Sequence, residues 1–216
     1  MLERVFISGG TGYIGRGLVP RLLARRHPVK ALVRKGSEGR LPAGAEIVVG
    51  DALDASTFAA TVPAGATFVH LVGVARPGPA KAKEFRTIDL ASLKASLSAA
   101  KSAGAAHFVY LSVAQPAPVM KAYQEVRAEG EALLRASGMD ATFLRPWYVL
   151  GPGHRWPSLL LPFYALAGLL PATRDAARRM GLVTLEQMTA ALVRGVENQP
   201  KGVRIVTAPE IQRAAL

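Results

Sequence analysis

The chain has 216 residues, half of them hydrophobic, with a mean hydropathy of +0.22 and a formal net charge of +12. That length suits one domain, or one domain with a small appended lobe, with apolar material enough for a sizeable core. The absence of cysteine excludes a disulfide framework, a thiolate nucleophile and a thiolate metal site, and it fits a cytoplasmic setting.

The opening "MLERVFISGG" runs from a short charged lead straight into a strand, with no small-residue cleavage site, so no signal peptide is expected. Six segments read as strands: "RVFISG" (4–9), "PVKALVR" (28–34), "AEIVVG" (45–50), "ATFVHLV" (66–72), "AHFVYLS" (106–112) and "DATFLRP" (140–146). They are almost continuously apolar, as strands covered on both faces of a parallel sheet should be. Helical patterns lie between them, roughly over 12–26, 54–62, 84–103 and 121–137, the last closed by Gly138 as a C-terminal cap. Strand–helix–strand repetition with right-handed crossovers predicts an α/β fold with a doubly wound parallel sheet. The whole chain, 1–216, reads as one such domain, with 147–183 as a small apolar substrate or lid lobe inside it.

Beyond Pro146 the texture changes. "WYVLGPGHRWP" is loop-like, and from Trp156 to Thr173 no residue carries a charge. Pro157, Pro162 and Pro171 interrupt that run, so a buried helix, pocket wall or oligomer contact is expected rather than a membrane span. "TLEQMTAALVRGVEN" predicts an amphipathic helix with Thr184 as N-cap and Gln187 completing a capping box, and "VRIVTAP" (203–209) a final strand. The basic runs "RLLARRH" and "DAARRM" fall within helical patterns and show no basic–aromatic alternation, so nucleic acid is not an expected partner. A field of this sign still attracts anionic small molecules.

The strongest chemical signal is "FISGGTGYIGRGL". Gly9, Gly12 and Gly15 form a G-x-x-G-x-x-G pattern, with Thr11, Tyr13 and Ile14 between them, directly after a predicted strand and before a predicted helix. Glycines allow a tight turn and a close backbone approach to a pyrophosphate, whose charge the helix N-terminus stabilises. An acidic residue about 20 positions on would hold the ribose 2′-hydroxyl of NAD. Arg34 stands there instead, with Lys35 beside it. Two cations suit a 2′-phosphate and point to NADP, with NADPH preferred over NADH. The alternative is that both are simply solvated at a strand end. His70, in a strand, reads as a packed core residue. His154, in the Gly/Pro loop, is a candidate substrate contact. Neither has the companion ligands of a metal site.

"GGTGYIG", "VVGDALD", "HLVG", the "YQEVRAEGEALLRASG" helix and "FLRPWYVLGPG" occur in the order found in the short-chain dehydrogenase/reductase superfamily. The chain resembles its atypical or extended branch, the nucleotide-sugar-epimerase-like and complex-I-subunit-like proteins, over roughly residues 3–155. The resemblance implies that Asp51 and Ala52 contact the adenine, that Leu71, Val72 and Gly73 lie beside the adenosine half, and that Pro146 to Val149 pass near the nicotinamide. Asp51 could instead cap a helix near 54. It also implies a homodimer through the fourth and fifth helices.

Active members of the family combine Asn, Ser, Tyr and Lys. Tyr123 matches the tyrosine, and Arg127, four residues on and on the same helix face, replaces the lysine. Ser112 falls one place before the working serine, whose own position is Val113, and Asp89 falls at the asparagine. A guanidinium supplies charge and donors but never deprotonates. Two readings stand: an NADP(H)-dependent oxidoreductase acting on a hydrophobic carbonyl or quinone-like molecule through Tyr123, Arg127 and Ser112, or an impaired NADP(H)-binding sensor or assembly protein.

Overall fold

The computed structural model describes residues 2–153 and 171–214, the side chains of 171–173 excepted. The expected contact His154 and all but the last residue of the apolar segment 156–171 lie outside the described residues. The strands are β1 (Val5–Ser8), β2 (Val29–Val33), β3 (Glu46–Val49), β4 (Thr67–His70), β5 (His107–Leu111), β6 (Ala141–Arg145), β7 (Tyr148–Leu150), β8 (Leu182–Thr184) and β9 (Val203–Thr207). The helices are α1 (Gly15–Ala24), α2 (Ala82–Glu84), α3 (Ala91–Ser102), α4 (Lys121–Ala136), α5 (Pro171–Arg179), α6 (Leu185–Glu197) and α7 (Ala208–Gln212).

Seven strands form one sheet in the order β3-β2-β1-β4-β5-β6-β9, every neighbouring pair parallel. This is the doubly wound, Rossmann-like arrangement expected. β7 and β8 make a separate two-stranded parallel ribbon. Strand alternation sorts the core into two layers. Ile7, Val69, Val109 and Leu144 point to the face covered by α1 and α6. Phe6, Phe68 and Phe108, in register on neighbouring strands, point to the other face. Their rings stand 5.1 Å and 5.2 Å apart, the second pair almost coplanar at 4°.

Phe58 adds a fourth ring 6.0 Å from Phe6, because the β3–β4 crossover differs from the expected helix over 54–62. It forms two 3₁₀ turns, Ala55–Thr57 and Ala59–Thr61. The reason is local. Asp54 accepts from the Ser56 amide and hydroxyl, Thr57 Oγ1 donates to the Asp54 carbonyl, and Thr61 Oγ1 to that of Phe58. Short polar side chains thus take backbone partners that an α-helix would need. The expected helix over 84–103 is also divided: α2 runs into a π-helical stretch, Phe85–Leu90, and only then into α3. Within the segment that reads as loop after Pro146, Tyr148–Leu150 is the strand β7, paired with β8, while the cap signals hold. Gly138 adopts φ +73 just past α4, and Thr184 and Gln187 form the complete capping box of α6. Among the described residues no helix is long and apolar enough to cross a membrane.

Candidate active site

The carboxyl ends of β1, β4, β5 and β6 open onto a cleft of about 530 Å³. Its floor is the loop between β1 and α1. Gly9 has φ +84, and a Cβ there would stand 2.8 Å from the Leu71 carbonyl carbon, so the loop is threaded against the end of β4. A Cβ on Gly15 would overlap the carbonyl oxygens of Gly9 and Gly10. α1 starts with no side-chain cap and no acidic residue in its first turn, and its Arg16, Gly17 and Leu18 amides donate to the carbonyls of Gly12 and Ile14. This cradle fits the pyrophosphate of a dinucleotide. Tyr13 reaches from the loop across to Gly151, where its hydroxyl leaves no room for a Cβ. Burial, then the neighbouring Tyr148, raises the Tyr13 phenol above its ordinary pKa.

At the other end stand Tyr123 and Arg127, one helical turn apart on α4. The Arg127 guanidinium lies 5.0 Å from the centre of the Tyr123 ring and 5.7 Å from that of Tyr110. Phe85 meets Tyr123 edge-on at 5.0 Å. Arg127 is buried, donating to the Leu111 carbonyl at 3.0 Å and to Asp89 Oδ2 at 3.2 Å. The other carboxylate oxygen of Asp89 accepts the Val74 amide at 2.6 Å, so both oxygens act as acceptors. The π-helical stretch aims Asp89 at this point, a common use of such turns. Burial opposes the charge on Arg127, yet Tyr123, Tyr110 and Asp89 together outweigh it and the guanidinium is held protonated. Burial pushes the Asp89 carboxyl up, against the pull of Arg127 and the Val74 amide. Desolvation likewise raises the Tyr110 phenol, with Arg127 opposing it.

Ser112 borders the cleft, but its hydroxyl donates to Glu131 Oε1 at 2.6 Å. Glu131 is buried and also takes Arg145 through both its oxygens and Gln115 at 3.2 Å. Ser112 is therefore tied into a hub joining the ends of β5 and β6 to α4. Val113, at the family's serine position, is buried and apolar.

The cleft brings together Gly9, Gly12, Tyr13, Ile14, Gly15, Leu71 and Gly73 with Tyr123, Arg127, Pro146 and Val149. Thr11, Val72, Arg34, Lys35, Asp51 and Ala52 lie outside its lining. Arg34 and Lys35 are exposed just past β2, and exposed Asp51 and half-buried Ala52 lie just past β3, on the same carboxyl edge of the sheet. The Asp51 carboxylate accepts the Leu53 amide at 2.9 Å, while Asp54 caps the following 3₁₀ turn. His70 is in the core, as expected, with Nδ1 between the hydroxyls of Ser8 and Ser96. Sequence reasoning missed Glu131 as a hub and Asp89 as the partner of Arg127. A signal existed for the first: Tyr123, Arg127 and Glu131 recur every four residues on one face of α4. Among the described residues no group of three or more His, Asp or Glu side chains could hold a metal ion.

Residues 9–153 match a protein family described as NAD(P)H-binding. The chain is similar to a 3-diazoavenalumate denitrifying reductase of Streptomyces sp, with 31% identity over a 242-residue alignment spanning 98% of this chain and 78% of that one. It is similar to a ceramide reductase of Caulobacter vibrioides at 27% identity over 198 residues, covering 88% of this chain and 59% of the relative's length. Among solved structures, the Bordetella bronchiseptica enzyme WbmH in complex with NAD+ superposes with a TM-score of 0.71 at 21% identity, over 96% of this chain and 76% of that one.

Proposed function

This chain belongs to the NAD(P)H-binding family, and we propose that it is an NADP(H)-dependent oxidoreductase of the epimerase-like, atypical short-chain dehydrogenase/reductase kind, acting on a hydrophobic carbonyl or quinone-like small molecule. The observation that carries this is the cleft itself, where the glycine cradle and the Tyr123–Arg127 pair line one space. The nicotinamide, when bound, supplies hydride. Tyr123 gives its hydroxyl proton to the substrate oxygen. Arg127 keeps a positive charge beneath the Tyr123 ring without itself exchanging protons. Arg34 and Lys35 take the 2′-phosphate, Asp51 and Leu71 to Gly73 border the adenosine half, and Pro146 to Val149 the nicotinamide end. The lobe over 147–183 covers the substrate. Two relatives of the chain being reductases supports the reaction class.

Two observations favour the second reading, an NADP(H)-binding sensor or assembly protein: the Ser112 hydroxyl is spent on Glu131, and Asp89 cancels the charge of Arg127. A fluorescence titration with NADPH and NADH tests the shared premise. Tighter NADPH binding by about tenfold, or about 1.4 kcal/mol, is expected, and saturable binding of neither nucleotide overturns both readings. A cofactor-dependent change of partner or assembly state, without turnover, selects the second.

A further inference from the structure

The loop after β4 carries one side chain that the roles above leave unused. Residues Val74 to Pro77 border the Tyr123 end of the cleft, and Val74 packs into the same apolar cluster as Tyr123 and Phe85. Arg76 is exposed on this stretch and lines the cleft. Its backbone sits at φ +51, a left-handed conformation that costs energy for a residue with a Cβ. The loop is fastened on both sides of it. The Val74 amide is held by Asp89 at 2.6 Å, and Lys81 Nζ donates to the Ala75 carbonyl at 2.7 Å. The guanidinium thus projects from a pinned backbone rather than from a free coil.

The charge balance of the cleft gives this position its meaning. Among the described residues that line it two are charged, Arg76 and Arg127, and none is acidic. Arg127 is buried and paired with Asp89, so its charge is cancelled from behind. Arg76 makes no ion pair among the described residues, so among them it is the uncompensated charge of the cleft. Around it the lining is apolar or aromatic, with Tyr13, Tyr123, Trp147 and Tyr148 offering ring faces with polar tips. A cleft of this kind suits a flat unsaturated body that ends in a negative group, since a few placed polar groups fix the orientation of a ligand held mainly by apolar contact.

We propose that the substrate is an aromatic or conjugated molecule bearing one carboxylate or similar anion, and that Arg76 is the residue that reads that anion. The inference names the substrate class of the cleft described above and rests on the oxidoreductase reading of it. An arginine fork matches a carboxylate in two-point geometry and orients the molecule so that its reducible group, not its charged end, faces Tyr123.

The test uses the full chain with trans-cinnamate and uncharged trans-cinnamamide as probes, titrated with and without NADPH. Wild-type protein should bind cinnamate at least about tenfold more tightly than the amide. Arg76→Gly, which relieves the left-handed backbone and so keeps the loop, should erase that preference, and Arg76→Lys should retain part of it. NADPH affinity should be the same in all three proteins. Equal affinity for the two probes in wild type, or a preference that survives in Arg76→Gly, overturns the proposal. So does a loss of NADPH affinity in Arg76→Gly with cinnamate binding intact, which would make Arg76 a cofactor contact. A wild-type protein that binds neither dinucleotide removes the oxidoreductase reading instead, and the probe titration without NADPH then still decides the anion preference by itself.

Discussion

Arg127 donates to Asp89 across 3.2 Å, and neither side chain is more than 4% exposed. At these two positions the family resemblance leads one to expect a lysine and a neutral asparagine. The two departures meet each other. A guanidinium introduced without a carboxylate would be a buried charge with one carbonyl and a distant phenol for partners. The carboxylate introduced alone would be worse placed still, with a single amide. Together they leave the site with a paired charge.

The pair should therefore behave as a unit. Asp89→Ala leaves a buried guanidinium uncompensated and should cost about 3–5 kcal/mol, whereas Asp89→Leu combined with Arg127→Met should restore much of that stability. Urea unfolding of Asp89→Leu, Arg127→Met and the double variant completes a mutant cycle. Additive losses would mean that the two groups do not depend on each other.

Tyr123→Phe removes one hydroxyl and leaves the stacking on Phe85 and Arg127 in place. If Tyr123 is the proton donor, turnover should fall by about 10²–10⁴ while NADPH affinity is unchanged. Turnover at the wild-type rate would assign the proton to another group.

Two glycines of the cleft should fail in different ways. Gly12 is exposed in the cleft lining, and a Cβ there would lie 3.1 Å from the Gly9 carbonyl oxygen. Gly12→Ala should keep the thermal midpoint and lose most NADPH affinity. A Cβ on Gly73 would lie 2.8 Å from Arg127 Nη2 and 3.3 Å from Asp89 Oδ1. Gly73→Ala should lower the midpoint by displacing the pair. Calorimetry beside nucleotide titration separates the two, and a reversed pattern would contradict the geometry.

Acid should destabilise the fold through two histidines. Burial depresses His70 to about 3, helped by Arg127, and His107 to about 4. Both are neutral when folded, so their stability contribution is whole above the unfolded value of 6.5. It falls as pH drops from there toward the folded values, because the unfolded chain then takes up protons that the native one refuses. The loss at about pH 5 is about 2 kcal/mol per histidine. His107→Gln should flatten the difference in urea midpoint between about pH 7 and about pH 5, and an unchanged slope would rule out His107 as a source.

Sequence patterns revealed the sheet well because each strand is short, apolar and bounded by turn residues, signals that live within a few positions. The glycine loop was legible for the same reason. The 3₁₀ turns at 55–61 were not, because the outcome depended on whether Asp54, Ser56 and Thr57 would spend their side chains on the backbone. The partner of Arg127 was hidden differently. Asp89 stands 38 residues away, and only the folding of the π-helical stretch against α4 brings it near. Ser112 could be placed beside the cleft from its strand, but not the direction of its hydroxyl, which Glu131 decides.

The packing of α6 on α1 has a temporal side. Leu18 and Leu22 are buried in one cluster with Met188 and Leu192, and Gly17 lets α6 approach until a Cβ would stand 3.1 Å from Thr189 Cγ2. The helix that follows the glycine loop is thus braced by residues that leave the ribosome some 170 positions later. A nascent chain would carry the whole glycine motif and still present α1 with its apolar side open to water. The loop would then gain its brace only once α6 has been made, so the motif that comes early in the chain is set by a helix that comes late.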